Sequence, residues 1–189
     1  QTPDISILSN EFLSEVMQMP YKNLAVELLQ RLIKDEVKSK FRTNVVKQRK
    51  FSDLLQASLG KYANRAIEAA QVIEELIAMA KQFQEDLARR ESHYMSDQEE
   101  VFYDALAKNE SAQEVMGEEV LVEMSREIAA KLRDNLTVDW AVQDSVRAKL
   151  RILIRTLLRK YKYPPDQAKD AVEMVLRQAE VVSEYETAA

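Results

Sequence analysis

The chain has 189 residues, 46% of them hydrophobic, with two glycines and four prolines, so it can bury a sizeable core and favours helices over turn-rich strands. The absence of cysteine excludes a disulfide frame, a thiolate metal site and a thiol redox centre, and no apolar run reaches the ~18–20 residues of a membrane span. Net charge is −5, which speaks against general polyanion binding, yet residues 31–50 balance at +6, residues 147–162 at +7 and residues 84–127 at −9.

In chain order, residues 1–20 read as a lead-in from a preceding domain. Asp4 to Leu8 suit an extended segment, and Ser9 or Asn10 caps a short helix ending before Pro20. The chain opens on Gln1 with no signal peptide, as expected of a fragment from a longer cytosolic protein. Residues 22–41 predict a helix with Leu24, Leu28, Leu32 and Val37 inward. Thr43 and Asn44 form a turn or cap, and Ser52 is an alternative cap.

The most regular stretch follows. Leu55, Leu59, Tyr62, Ala66, Ala69, Ile73, Leu76, Ala80, Phe83 and Leu87 alternate at steps of four and three. Ala63, Ala70 and Ile77 widen that stripe, and Lys61, Arg65, Glu68, Gln71, Glu75 and Asp86 fall on the far side. No proline interrupts it, and Gly60 is the weak point at ~1 kcal/mol against alanine. The spacing predicts one helix over about 52–90, ~55–60 Å long, with the other helices packed along it. A free coiled-coil dimer is the rival use of such a stripe.

Further on, Ser96-Asp97-Gln98-Glu99 is a capping box opening a helix with Val101, Phe102, Ala105 and Leu106. Asn109 or Ser111 starts a short helix that Gly117 ends. Leu121, Met124, Ile128 and Leu132 mark the next, over 118–134. Trp140 is expected to anchor the following connector. Helices then span 143–161 and 167–185, separated by Tyr163-Pro164-Pro165-Asp166. The fold class is all-α: an irregular multi-helix bundle packed around one long central helix (52–90), with residues 21–186 as a single helical domain and 187–189 as a tail.

Catalytic motifs are scarce. Gly60 and Gly117 cannot build a phosphate-cradling loop or a dinucleotide fingerprint. His93 is the single histidine, so zinc-hydrolase and di-iron patterns fail, and its polar setting suits plain surface. Glu118, Glu119 and Glu123 lack calcium-loop spacing and suit a solvated helix face. Pro3-Asp4 with Glu36-Val37-Lys38 spells a loose nuclease signature, but that chemistry displays its ligands from strands and the triplet lies in a helical pattern. No catalytic, cofactor-binding or metal residue is assigned. The strongest surface signal is Arg147, Arg151, Arg155 and Arg159, spaced by four, with Lys149, Lys160 and Lys162 around them. Either the domain's own acids neutralise this ridge (the 118–134 helix, Glu173, Glu180 or Glu184), or DNA phosphate or an acidic protein covers it. Arg42, Lys47, Arg49 and Lys50 are a second candidate contact group.

Taken together, the motifs Asn23-Leu24-Ala25-Val26-Glu27-Leu28-Leu29, Asn44-Val45-Val46, Phe51-Ser52, Asn64-Arg65-Ala66-Ile67-Glu68 and Gln71-Val72-Ile73-Glu74-Glu75-Leu76 resemble the C-terminal region of type I restriction enzyme R subunits. Phe102-Tyr103-Asp104-Ala105-Leu106-Ala107, Val138-Asp139-Trp140, Ser145-Val146-Arg147-Ala148-Lys149-Leu150-Arg151 and Tyr163-Pro164-Pro165 continue it in order, over about 4–184. In that family the R subunit is an ATP-dependent DNA translocase and endonuclease. Its nuclease and motor domains, which use ATP and Mg, precede this region. The resemblance implies a bacterial, cytoplasmic assembly module that holds the motor onto methyltransferase and specificity subunits, with no catalytic residue in this chain; DNA phosphate, read from the basic ridge, is the alternative contact, and no membrane is expected.

Overall fold

The computed structural model describes residues 8–93, 95–135 and 144–188, and every regular element among them is helical. The all-α, multi-helix expectation holds. The chain groups into two compact units, the first of Gln1–Arg42 with Lys47–Ser92 and the second of Thr43–Val46 with His93–Ala189.

The first unit contains α1 (Asn10–Met17), α2 (Lys22–Lys40), α3 (Val45–Ala63, whose first residues belong to the second unit) and α4 (Ala69–Ser92). Ser9 caps α1 by accepting from the Phe12 amide at 3.2 Å. On α2 the buried residues are Ala25, Val26, Leu29, Ile33 and Val37. Leu24 is exposed and Leu28 and Leu32 are half-buried, so the expected inward face is displaced by about one residue. Helix α2 packs on α4, and its buried row runs through Ala25, Leu29, Ile33 and Val37, with Leu28 and Leu32 on the edge of that row.

The continuous helix expected over 52–90 is not present. Residues 64–68 break it, and α3 and α4 fold back on each other. Arg65 takes a left-handed backbone with φ +56°. Its amide donates to the Tyr62 carbonyl at 3.1 Å, and the Ala66 amide donates to the Lys61 carbonyl at 2.8 Å. That pair of bonds is a Schellman ending with arginine where glycine is usual. Glu68 then starts α4, its amide donating to Gln71 Oε1 at 2.9 Å, which is half of a capping box.

Energetics favour the break. A non-glycine left-handed residue costs ~1–2 kcal/mol. In a straight rod the middle of the stripe would be Ala63, Ala66 and Ala70, which offer little area and are exposed here. Folding back lets Phe51 of α3 and Phe83 of α4 meet Phe41, the residue that ends α2. The ring centroids lie 5.3, 5.6 and 6.1 Å apart. Burying even one such ring contributes ~1.5–3 kcal/mol, so the nest outweighs the corner. At the other end Lys61 pairs with Glu75 at 3.2 Å, and Tyr62 donates to Asn23 Oδ1 at 2.5 Å. These pairings make α2, α3 and α4 an up-down-up bundle, with α1 and Leu8 closing one side: Gln84 donates to the Leu8 carbonyl.

The second unit contains α5 (Asp97–Ala107), α6 (Glu110–Met116), α7 (Glu118–Asn135), α8 (Asp144–Lys160) and α9 (Ala168–Ala188). Helix α5, with α7 beside it, takes the central place expected of the long rod. Its residues from Glu100 to Ala107 are all buried, under α7 on one side and α9 on another. The capping reading was sound. Ser96 accepts from the Glu99 amide at 3.2 Å, Asn109 caps α6, and Gly117 ends it at φ +83°. Helix α8 closes as α3 does: Lys162 is left-handed at φ +57°, and the Tyr163 amide donates back to the Leu158 carbonyl at 2.9 Å. Tyr163 then donates from its hydroxyl to the Leu106 carbonyl of α5 at 2.7 Å. Segment Thr43–Val46 is clamped in this unit. Buried Gln178 donates to the Thr43 carbonyl and accepts from the Val45 amide at 3.0 Å, while buried Asn44 donates to Asp104 at 2.7 Å. Trp140 and the connector around it lie outside the described residues, as do Pro3, Asp4 and the extended segment expected there.

Candidate interaction surfaces

Helix α8 forms because Leu150, Ile154, Leu157 and Leu158 recur on one face and seal against α7 and α9. Its arginines follow one i, i+4 ridge, but that ridge is inclined to the helix axis. A step of four overshoots the 3.6-residue turn by about 40°. Across three steps the ladder winds by about 120°, from the α9 flank to open solvent.

The early rungs are inward and the later ones bare. Arg147 is half-buried. Arg151 reaches Glu173 of α9 with Nε at 3.0 Å and Nη2 at 3.4 Å, a two-pronged contact. Arg155 and Arg159 are exposed and make no ion pair with another described residue. Lys149 and Lys162 are exposed in the same way. Ile152, one turn before Arg155, is 63% exposed.

Lys160 is held by Glu127 of α7. Its Nζ donates to Oε1 at 2.8 Å, and the Tyr161 hydroxyl donates to Oε2. Lys131 adds a third contact at 3.4 Å. The Lys160 ammonium, with the Tyr161 hydroxyl, pulls the Glu127 carboxyl down to about 2. The same hydrogen bond, with partial burial, pushes the Tyr161 phenol up to about 12. The alternatives left open for the ridge therefore divide by rung: the 118–135 helix and Glu173 neutralise Lys160 and Arg151, and Arg155 and Arg159 remain available.

Half of the second cationic group, Lys47 and Lys50, turns inward. Asp86 of α4 is 3% exposed, although its place in the stripe put it on the wet side. Lys50 donates to its Oδ2 at 2.8 Å, Lys47 lies 3.0 Å from the same oxygen, and Gln82 donates to Oδ1 at 3.0 Å. Burial alone would push the Asp86 carboxyl up. The two lysines outweigh burial and hold it below the usual carboxylate range. Lys47 is itself only 8% exposed, so it is core rather than surface. Arg49 lies exposed and 4.0 Å from Asp53, a contact of little energetic worth. Arg42 is exposed.

Asp86, Glu127 and Glu173 decide which cations are free; the sequence points to Glu173 and to the helix that carries Glu127, whereas Asp86 gives no sign of its role beyond its charge. His93 is not plain surface: its Nε2 lies 3.0 Å from Glu118 Oε1, and Arg126 donates to its carbonyl at 2.7 Å. Glu36-Val37-Lys38 sits inside α2, where a strand-based nuclease site cannot form. Among the described residues no cluster of three or more His, Cys, Asp or Glu is arranged to hold a metal ion, and no helix is long and apolar enough to cross a membrane.

Residues 1–185 match the family described as the C-terminal region of type I restriction enzyme HindI endonuclease subunit-like proteins. The chain is 41% identical over 182 residues to the "Type I restriction enzyme HindI endonuclease subunit" of Haemophilus influenzae, covering 96% of the chain and 17% of that protein. It is 27% identical over 161 residues to the "Putative type I restriction enzyme MjaIXP endonuclease subunit" of Methanocaldococcus jannaschii, covering 85% of the chain and 15% of that protein. The chain thus spans about a sixth of the length of these relatives. No solved structure matches it. With nearly every residue matched and the whole described fold helical, the chain belongs to the family of C-terminal helical domains of type I restriction enzyme endonuclease subunits.

Proposed function

We propose that this domain is a docking module: it fastens an ATP-dependent, DNA-translocating endonuclease subunit to the methyltransferase and specificity subunits of a type I restriction complex in the bacterial cytoplasm. The observation that carries the reading is the match over residues 1–185 to the C-terminal region of proteins roughly six times longer. Nuclease and motor chemistry, with its ATP and Mg, then belongs to the preceding domains, and this piece contributes grip. Deleting it from the parent subunit should abolish pull-down by the methyltransferase core while leaving ATP hydrolysis measurable. Undiminished pull-down would reject the reading.

A second reading rests on the bare rungs of α8. Arg155, Arg159, Lys149 and Lys162 suit phosphate contacts, as does Arg147 where the ridge begins. The Arg155→Glu, Arg159→Glu pair should weaken duplex binding and lower the log–log salt slope by roughly 0.9 per lost contact. Arg151→Glu should instead act on stability, through Glu173. An unchanged slope in the first variant would end this reading.

A further inference from the structure

Between α2 and α3 the first unit carries a groove of about 440 Å³. The two helices are pinned together at both ends. Phe41 stacks on Phe51 at one end, where Gln48 also donates to the Phe41 carbonyl at 2.6 Å; Tyr62 meets Asn23 at the other. Between the pins the helices stand apart. The floor is apolar: Ile33, Val37, Phe51, Leu55 and the half-buried Leu59. The walls differ in chemistry. On the α2 side Lys34 and Lys38, four residues apart and both exposed, lead down to Arg42. On the α3 side, spaced by four, stand Gln48, whose amide already donates to the Phe41 and Arg42 carbonyls, and Ser52 and Gln56, which offer a hydroxyl and an amide. No carboxylate is among the lining residues.

We infer that this groove receives an acidic amphipathic helix from a partner protein, an inference that rests on the docking reading and gives it a surface. A volume in the ~300–1,000 Å³ range accepts anchor side chains. The cationic wall from Lys34 to Arg42 extends over roughly 12 Å, or about two helical turns. An inserted helix with apolar residues at i, i+3, i+4 and i+7 would fill the floor, and glutamates on one flank would meet Lys34 and Lys38. The neutral wall would serve its polar edge. A phosphate backbone would meet the lysines but leave the apolar floor unfilled, which is why a protein segment is the better occupant. Lys47 and Lys50 take no part, because Asp86 already holds them.

The probe is a capped synthetic helix with leucine at those positions and glutamate elsewhere, titrated into the full chain by anisotropy and by amide chemical shifts. Saturable binding with shifts at Ser52, Gln56 and Leu59 is expected. Lys34→Glu with Lys38→Glu should weaken it by about tenfold or more, while conferring binding of the lysine counterpart of the peptide. Ser52→Trp, at an exposed position, should block the groove without loss of helical circular dichroism. Equal affinity in all variants, shifts elsewhere, or equal displacement by a short duplex or an anionic vesicle would overturn the inference. In the parent complex, loss of pull-down on deleting the domain with full retention in the Lys34, Lys38 double variant would refute the groove and spare the docking reading. Retention after deletion would refute both, and loss in both would support both.

Discussion

Asp86→Ala is expected to be the most damaging single polar substitution in the first unit. The carboxylate is 3% exposed and faces two ammonium groups, Lys50 at 2.8 Å and Lys47 at 3.0 Å. Lys50, with 37% of its side chain exposed, can turn to water when its partner goes. Lys47, with 10%, cannot without moving α3. Removing one member of a buried pair costs ~3–5 kcal/mol, because the survivor is left charged and desolvated. With a urea slope of ~1–3 kcal/mol per molar, the midpoint should fall by on the order of 2 M. Replacing both members by apolar groups of similar size, Lys47→Met with Asp86→Leu, should recover most of that loss. The pH dependence has a fixed sign. The folded carboxyl lies below its unfolded value of ~3.9, so its stabilisation is complete above that value and is lost as pH falls from there through the lower folded value. The assay is urea unfolding by circular dichroism from pH 7 to pH 3, with hydrogen exchange on α3 and α4 to locate the effect. An Asp86→Ala unfolding free energy within about 1 kcal/mol of the parent, or a double variant no better than the single, would refute the reasoning.

Gly60→Ala should stabilise by roughly 0.5–1 kcal/mol, since a Cβ there meets nothing within 4 Å and the residue lies inside α3. A thermal scan should show a rise of about 2–4 °C per kcal/mol at this chain length. Arg65→Gly should raise the melting point too, by relieving ~1–2 kcal/mol of left-handed strain; a drop would mean that the arginine side chain matters more than its backbone. Glu127→Gln should flatten the acid limb of the stability profile. The parent loses the contribution of this carboxylate as pH falls from its ordinary 4.5 towards about 2, and the variant has nothing there to lose. Parallel acid limbs would show the Lys160 and Tyr161 contacts to be energetically idle.

Helix content and most helix ends were legible because each rests on local chemistry: Ser9, Ser96 and Asn109 as caps, Gly117 as a stop. The corner at 64–68 was not, because its markers are a left-handed arginine and a glutamine cap rather than glycine or proline. Nor does anything local say that Phe51 and Phe83 gain more by meeting than a straight helix gains by continuing. On α2 the leucine spacing finds Val37 and the half-buried Leu28 and Leu32 but misplaces Leu24 and passes over Ala25 and Ile33, whose small or branched side chains fill the row. Glu100 and Asp104 were missed as core because α5 is covered nearly all round, which leaves no wet stripe to read. The α8 ladder was found from its spacing, but its partition between Glu173, Glu127 and solvent depends on residues distant in sequence. The groove between α2 and α3 was not found, since it exists only once α3 folds back against α2 and α4.

The corner at Arg65 also has a practical use. It lies at the opposite end of the α3–α4 hairpin from the phenylalanine nest and the Asp86 cluster, and Ala66 beside it points to solvent. Lengthening a connection is cheap, at ~0.6 kcal/mol for each doubling. A short epitope or a dye-bearing insert after Ala66 should therefore leave the bundle intact, giving a handle on the domain remote in sequence from the cationic wall of the groove and from the α8 ridge.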